Sequence, residues 1–143
     1  MKPSQPGLFH PRLLPTWLGV GVLWLLHWLP LPVLAGVGNF IGSLAAALPG
    51  KRRRIAETNL RLCFPEQSEA VRARWVRANF RASARAALEH SILWWGSASR
   101  VRRLVRLEHP ERMLGDGQRP VIWLGPHFVG LNMCGIRLSM EVT

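Results

Sequence analysis

Acidic side chains are scarce in this 143-residue chain, and one long segment carries no charge at all. Eight Asp and Glu residues stand against nineteen Lys and Arg residues, which gives a formal net charge of +11. Residues 13–50 contain no charged side chain, whereas residues 51–112 hold fifteen basic residues and six acidic ones. Because 48% of the residues are hydrophobic, the chain is too apolar for disorder driven by charge repulsion. The uneven charge distribution excludes a uniform soluble globule, and the length allows one domain at most.

Cysteine and several well-known catalytic motifs are also scarce or absent. Cys63 and Cys134 have no framework spacing, so we expect two free thiols in a reducing compartment. The five histidines are scattered and form no recognisable metal-ligand cluster with one another or with the few carboxylates. The chain has neither the G-x-S-x-G turn of a serine hydrolase nor a glycine-rich phosphate loop. These absences argue against a disulfide framework, a zinc site, a serine hydrolase and a nucleotide-binding loop.

The uncharged segment is longer than the roughly 20 apolar residues that cross a bilayer, which predicts a membrane-anchoring segment over residues 1–50. Pro30 and Pro32 remove two backbone donors from its middle, so we expect one helix over about residues 15–29 and a second over about residues 33–48. A basic cluster follows at residues 51–54. Because such clusters favour the cytoplasmic side of a membrane, we expect the rest of the chain to lie there.

A long amphipathic helix is predicted after the basic cluster. Ser68 is suited to cap its start, with Glu69 in the first turn. From Val71 to Ile92, apolar residues recur at one-, three- and four-residue steps, which predicts a helix over about residues 69–95. Two interpretations of the flanking arginines stay open: a solvated polar face, or a surface that recruits an anionic partner or anionic lipid. These arginines are Arg72, Arg74, Arg77, Arg81 and Arg85.

The last third of the chain predicts an α/β arrangement. Residues 121–124 form a short, continuous apolar run that is typical of a buried strand. Gly125 and Pro126 end this run, His127 follows, and residues 129–140 have helical spacing. Open α/β sheets bind ligands beyond the carboxyl ends of their strands, so His127 is the residue best placed for chemistry.

Three stretches of the sequence together carry a resemblance to a known family. They are NLRLCFPE at residues 59–66, AALE at residues 86–89 with the Trp pair at 94 and 95, and VIWLGPHFVGL at residues 121–131. After an apolar amino-terminal segment and a basic cluster, this combination resembles the lipid A biosynthesis acyltransferases, the lauroyl and myristoyl transferases of Gram-negative bacteria.

The resemblance implies a fold, a reaction and a location. It implies that residues 51–143 are the amino-terminal part of a glycerolipid-acyltransferase-like α/β domain, anchored at the cell inner membrane. It implies transfer of a fatty acyl chain from acyl carrier protein, or a similar thioester, to a hydroxyl of a lipid A precursor, without a cofactor. Because acyl carrier protein is strongly acidic, Arg74, Arg77 and Arg81 are the carrier-docking candidates.

The catalytic signature of the family is a His followed five positions later by Asp or Glu, and those positions are His127 and Asn132 in this chain. The resemblance implies that the His acts as general base on the hydroxyl while the carboxylate orients the imidazole. Residues five apart on a helix are separated by about 500°, so the pair can meet only if His127 precedes the helix. Asn132 can accept a hydrogen bond but carries no charge, so we expect a weakened site.

Other interpretations stay open beside this one. The chain stops soon after the His motif, where family members continue, so we expect an amino-terminal fragment that is inactive by itself. A non-catalytic, membrane-anchored basic protein explains residues 1–112 equally well, although it leaves residues 121–140 without a role. A nucleic-acid binder would explain the arginine content, but no nucleic-acid-binding module is recognisable, so we expect no nucleic-acid partner.

Overall fold

The computed structural model describes residues 10–109, 112, 122, 124–126 and 128–142 of the chain. Over this range, a short 3-10 turn at Pro11–Leu13 precedes a series of α-helices. The helices are α1 (Leu14–Leu26), α2 (Leu31–Ala47), α3 (Lys51–Cys63), α4 (Glu69–Trp95), α5 (Ala98–Leu104) and α6 (Leu131–Val142).

The predicted α/β fold class is wrong for the part of the chain that the structure describes, which contains helices and no strand. Ile122 and Leu124, from the apolar run predicted to be a strand, have no regular structure and are 94% and 95% exposed. Val121 and Trp123 lie outside the described residues. A strand needs neighbouring strands to satisfy its backbone, and the described residues offer none. An apolar run alone therefore did not suffice to predict a sheet.

The predicted pair of amino-terminal helices is confirmed, with α1 and α2 separated by a break before Pro30. Pro30 has no N–H and caps the start of α2. The carbonyl groups left open at the break accept hydrogen bonds from the Arg100 guanidinium, one at His27 and one at Leu29, the latter at 2.5 Å. Arg100 on α5 thus supplies the donors that a continuous helix would have provided, and it ties the break to the rest of the structure.

No single helix among the described residues combines the length and the apolar character needed to cross a bilayer, so the predicted membrane-spanning helix is not found. The apolar stretch Pro11–Leu26 is too short by itself. α2 and α3 have sufficient length and apolar character only when taken together, and they meet at an angle of 85°.

α2 packs along α4 with almost no side chain between the two backbones. Leu34, Gly38, Gly42 and Ala46, spaced four residues apart, form the buried face of α2. A Cβ on Gly38 would lie 2.8 Å from the Arg85 Cα, and one on Gly42 would lie 2.5 Å from the Arg81 Cα. Small residues at this spacing let two helices approach closely, so the α2–α4 interface depends on them.

Gly42→Ala should therefore destabilise the protein by roughly 1–3 kcal/mol, because the added methyl group forces α2 away from α4. Gly36→Ala is the matched control, since a Cβ on Gly36 meets nothing within 4 Å. Alanine is a better helix former than glycine, so the control should be more stable than the parent by about 0.5–1 kcal/mol. Urea unfolding followed by circular dichroism measures both changes. Equal stability of the two variants would contradict the close approach of the helices.

The predicted helix over residues 69–95 is confirmed as α4, the longest of the described helices. Ser68 caps it, with its side-chain oxygen accepting a hydrogen bond from the Val71 N–H at 3.3 Å. Near its carboxyl end, Ile92 joins Leu34 and Val101 in a fully buried cluster against which Met140 of α6 packs. α4 is therefore the element that connects the amino-terminal helices to α6.

Candidate active site between α4 and α6

α6 carries Asn132, and two hydrogen bonds and one packing contact hold this helix against the rest of the chain. Arg137 Nε donates a hydrogen bond to the Val105 carbonyl at 3.2 Å. Arg102 Nη2 donates to the Met140 carbonyl at 3.3 Å, while the Met140 side chain packs against the buried cluster. Gly130, just before the helix, has a φ of +96°, a conformation that glycine adopts without strain. These contacts determine where the first turn of α6, with Asn132, lies against α4.

Asn132 meets His90 of α4 at this junction. The Asn132 side-chain nitrogen lies 2.8 Å from His90 Nε2, and His90 Nδ1 lies 2.6 Å from the Ala86 carbonyl oxygen. A carbonyl oxygen can only accept, so Nδ1 carries the hydrogen and, in neutral imidazole, Nε2 accepts from Asn132. The amide of Asn132 therefore uses its donor end on His90, and no donor from the described part of the chain engages its oxygen.

A small cleft of about 120 Å³ surrounds this pair. Its α4 side is lined by Ala86, Glu89, His90 and Leu93, and its other side by residues 128–133. Glu89 and His90 are half-buried, whereas Asn132 and Phe128 are exposed at the rim. The cleft thus contains one carboxylate, one imidazole and one amide beside the stretch that follows His127. His127 itself lies outside the described residues.

His90 is the member of this cleft that sequence analysis missed. It was grouped with the other histidines as a scattered residue, and His127 was the partner predicted for Asn132. The contact joins residues 42 positions apart, through the docking of α6 on α4. The nearest sequence signal for His90 was its position directly after AALE, one of the stretches that carried the family resemblance.

The three carrier-docking candidates on α4 differ in their surroundings. Arg74, Arg77 and Arg81 are all exposed and share one face of the helix. Arg77 lines a cleft beside Ser43 and Ala46, and Arg81 Nε donates to Ser43 Oγ at 2.7 Å. Arg81 is thus part of the α2–α4 interface. Their role in carrier binding stays a prediction.

Among the described residues, no group of three or more His, Cys, Asp or Glu side chains is placed to hold a metal ion. Cys63 and Cys134 are both exposed free thiols. The chemistry available in the α4–α6 cleft is that of acid, base and hydrogen-bonding groups.

Almost the whole chain matches one protein family. Residues 1–142 match the family described as "Bacterial lipid A biosynthesis acyltransferase". The chain belongs to this family. The match confirms the resemblance drawn from residues 59–66, 86–89 and 121–131, and it covers both the amino-terminal helices and the α4–α6 cleft.

Relatives named for lipid A biosynthesis are 31–38% identical to this lipid A acyltransferase family member over the aligned residues. The chain is 35% identical over 137 residues to a lipid A biosynthesis lauroyltransferase of Escherichia coli K12, covering 94% of this chain and 44% of the relative. It is 38% identical over 128 residues to the palmitoleoyltransferase of the same organism, covering 88% and 42%. A lipid A biosynthesis acyltransferase of Haemophilus influenzae is 31% identical over 131 residues, covering 90% and 42%.

The chain thus spans less than half the length of these family members. No solved structure matches it. That His127 and Asn132 stand at the positions of the family's His and acid motif stays a prediction, and the structure shows His90 as the neighbour of Asn132.

Proposed function

We propose that this chain contributes the hydroxyl-activating residues of an acyltransferase in lipid A biosynthesis. The acceptor is a hydroxyl of a lipid A precursor, and the donor is a fatty acyl thioester on acyl carrier protein. The observation that carries the proposal is the orientation of Asn132, whose amide nitrogen is used by His90. Among the described residues no donor engages its oxygen, so that oxygen is available to an imidazole N–H.

In the proposed mechanism, His127 accepts the proton of the acceptor hydroxyl while the hydroxyl oxygen attacks the thioester carbonyl. A new carbon–oxygen bond forms and the carbon–sulfur bond breaks. The proton held by His127 then passes to the departing thiolate, which restores the neutral imidazole. Asn132 accepts a hydrogen bond from the other ring nitrogen and so selects the reactive tautomer. Without a negative charge, Asn132 stabilises the imidazolium less than a carboxylate would.

We also propose that the chain acts at the cytoplasmic face of the inner membrane. α1 and α2 expose large apolar side chains, with Phe40 72% exposed and Leu44 55% exposed on the side of α2 that faces away from α4. Contiguous exposed apolar surface marks a site of contact with a membrane or a protein. The basic residues 51–54 follow directly and suit anionic lipid headgroups. Recovery of the chain in the soluble fraction of lysed cells would contradict this location.

A chimera tests the proposed reaction. Residues 1–143 of this chain replace the matched stretch of the Escherichia coli lauroyltransferase, and the product is assayed with acyl carrier thioester and lipid A precursor. We expect acyl transfer above the uncatalysed level. Absence of product from a chimera that folds and reaches the membrane would reject the proposal.

Carrier recruitment gives a separate prediction. Arg74→Glu together with Arg77→Glu should weaken binding of the acidic carrier roughly 5- to 30-fold, since two exposed charge contacts are each worth up to about 1 kcal/mol. Arg81 is left unchanged because it donates to Ser43. Arg12→Glu together with Arg61→Glu changes the net charge equally at exposed positions elsewhere. Titration of the chimera with carrier at low and high salt measures both pairs. Equal weakening by the two pairs would reject α4 as the docking face.

A further inference from the structure

A second and larger concave site lies on a part of the chain that the proposed reaction does not use. α2, α3 and α4 enclose a groove of about 880 Å³ that shares no lining residue with the α4–α6 cleft. Six of the apolar residues that line it are Ala45, Ile55, Leu60, Phe64, Trp75 and Phe80. Ligand sites in proteins typically have volumes of roughly 300–1,000 Å³, so this groove is large enough to hold a ligand.

The groove is a consequence of how the three helices meet. α3 leaves α2 at 85°, so the two helices diverge from their junction. Ala45 on α2 and Ala84 on α4 have side chains too small to fill the space. At another part of the wall, Phe64 and Trp75 pack edge to face with ring centroids 5.2 Å apart. The small residues on α2 and α4 therefore leave an open apolar channel where the helices diverge.

Apolar surface in this groove stays accessible in the folded chain. Ile55 is 49% exposed, Phe64 is 40% exposed and Trp75 is 38% exposed. Exposure of large apolar side chains that line one concavity is unfavourable in water, and an apolar ligand would remove it.

The charge beside the groove is positive. Arg52 is one of the lining residues, and among the described residues no carboxylate lies within salt-bridge distance of its guanidinium. Lys51 and Arg54 line an adjoining cleft that shares Ile55 and Asn59 with the groove. The nearby Glu57 is paired with Arg53 at 2.7 Å. An occupant that complements both features has an apolar chain and an anionic head.

We propose that this groove binds an anionic glycerophospholipid of the membrane, with one acyl chain along the apolar wall and the phosphate at Arg52. The proposed site is separate in space from the acyl-transfer residues, since it shares no lining residue with the cleft that holds His90 and Asn132. A bound lipid would join α3 to the bilayer beside the exposed apolar side chains of α2. The amino-terminal helices would then be held at the membrane surface.

Fluorescence of Trp75 reports on this groove directly. The purified 143-residue chain in neutral detergent is titrated with phosphatidylglycerol or phosphatidylcholine that carries bromine on its acyl chains. The fluorescence of Trp75 is obtained by subtracting the fluorescence of the Trp75→Phe variant from that of the parent chain. We expect saturable quenching of this signal by brominated phosphatidylglycerol, at about tenfold lower concentration than by brominated phosphatidylcholine. Inorganic phosphate at equal concentration should not displace the lipid, because it lacks the acyl chain.

Two pairs of variants separate the headgroup from the chain. Arg52→Glu should weaken phosphatidylglycerol binding about tenfold, whereas Arg61→Glu should not, since nine residues along α3 place Arg61 on the opposite face. Ala56→Phe fills the groove and should weaken binding of both lipids, whereas Ala78→Phe, at an exposed position of α4 that does not line the groove, should not. Arg52 is exposed, so its substitution tests the site even if Ala56→Phe impairs folding.

Three outcomes would overturn the proposal. Equal quenching by the two lipids, unchanged in Arg52→Glu, would show that Arg52 does not bind an anionic headgroup. Full quenching in a correctly folded Ala56→Phe variant would show that the acyl chain lies elsewhere. Concentration-dependent burial of Trp75 without lipid, together with dimer formation, would show that a second copy of the chain occupies the groove.

Discussion

His127→Ala in the chimera with the Escherichia coli lauroyltransferase is expected to lower acyl transfer by roughly 10²–10⁴-fold. A hydroxyl is a weak nucleophile until a base accepts its proton, and His127 is the proposed base. The loss should appear in kcat, because proton transfer develops only as the hydroxyl attacks the thioester. KM for the acyl carrier thioester should change little, since no proposed contact with the carrier is removed.

His10→Ala is the control for this substitution. His10 lies before α1 and its ring nitrogen accepts a hydrogen bond from the Arg12 N–H at 3.2 Å, far along the chain from the cleft. Its removal should leave the rate of transfer unchanged. A second comparison uses His127→Gln, which keeps hydrogen-bonding groups but supplies no base and should be as slow as the alanine variant. Transfer by either variant at the parental rate would mean that another group accepts the hydroxyl proton.

Local signals in the sequence predicted the amino-terminal helices and α4. Pro30 interrupts the first apolar segment because it has no backbone N–H, an effect that is confined to neighbouring residues. Ser68 caps α4 by accepting a hydrogen bond from the Val71 N–H. The apolar stripe of α4 has the helical period over its whole length. These features depend on neighbours in the chain, so one sequence was enough to predict them.

The contacts that organise the helices were not predicted, although one of them had a signal. Gly38, Gly42 and Ala46 have the four-residue spacing of small residues that permits close helix packing, yet the segment was interpreted only by its hydropathy. Arg100 at the α1–α2 break belongs to a helix more than 70 residues away, which nothing in the sequence indicates. Such contacts depend on the tertiary arrangement.

The errors at the candidate site have the same origin. The apolar run at residues 121–124 was interpreted as a strand. A strand requires partner strands, and the hydrophobic pattern of one segment does not show whether they exist. Asn132 was assigned to a helix that begins near residue 129, and α6 begins at Leu131, so this part of the prediction was close. His90 was missed because its role arises only when α6 packs on α4. The predicted site position Asn132 comes from the sequence motif, whereas its neighbour His90 comes from the fold.

Asn132→Asp is expected to raise turnover of the chimera, and the gain should depend on His90. With His90 present, a carboxylate at position 132 would lie where the amide now donates to Nε2, 2.8 Å away. It would accept a hydrogen bond from that nitrogen and favour the imidazolium form of His90. Much of its negative charge would then be compensated by His90 and not directed to His127. We expect a gain of about tenfold or less in this single variant.

The double variant His90→Ala with Asn132→Asp should show the larger gain, roughly 10²-fold or more over His90→Ala alone, because the carboxylate is then free to orient and stabilise the His127 imidazolium. His90→Ala by itself should slow transfer, because Asn132 then loses the contact that orients its amide oxygen as the proposed acceptor for His127. The four kcat values form a double-mutant cycle, and its interaction energy measures the coupling of the two positions. An equal gain from Asn132→Asp with and without His90 would show that His90 does not control residue 132. A carboxylate variant no faster than the parent in either background would show that charge at this position is not what limits the reaction.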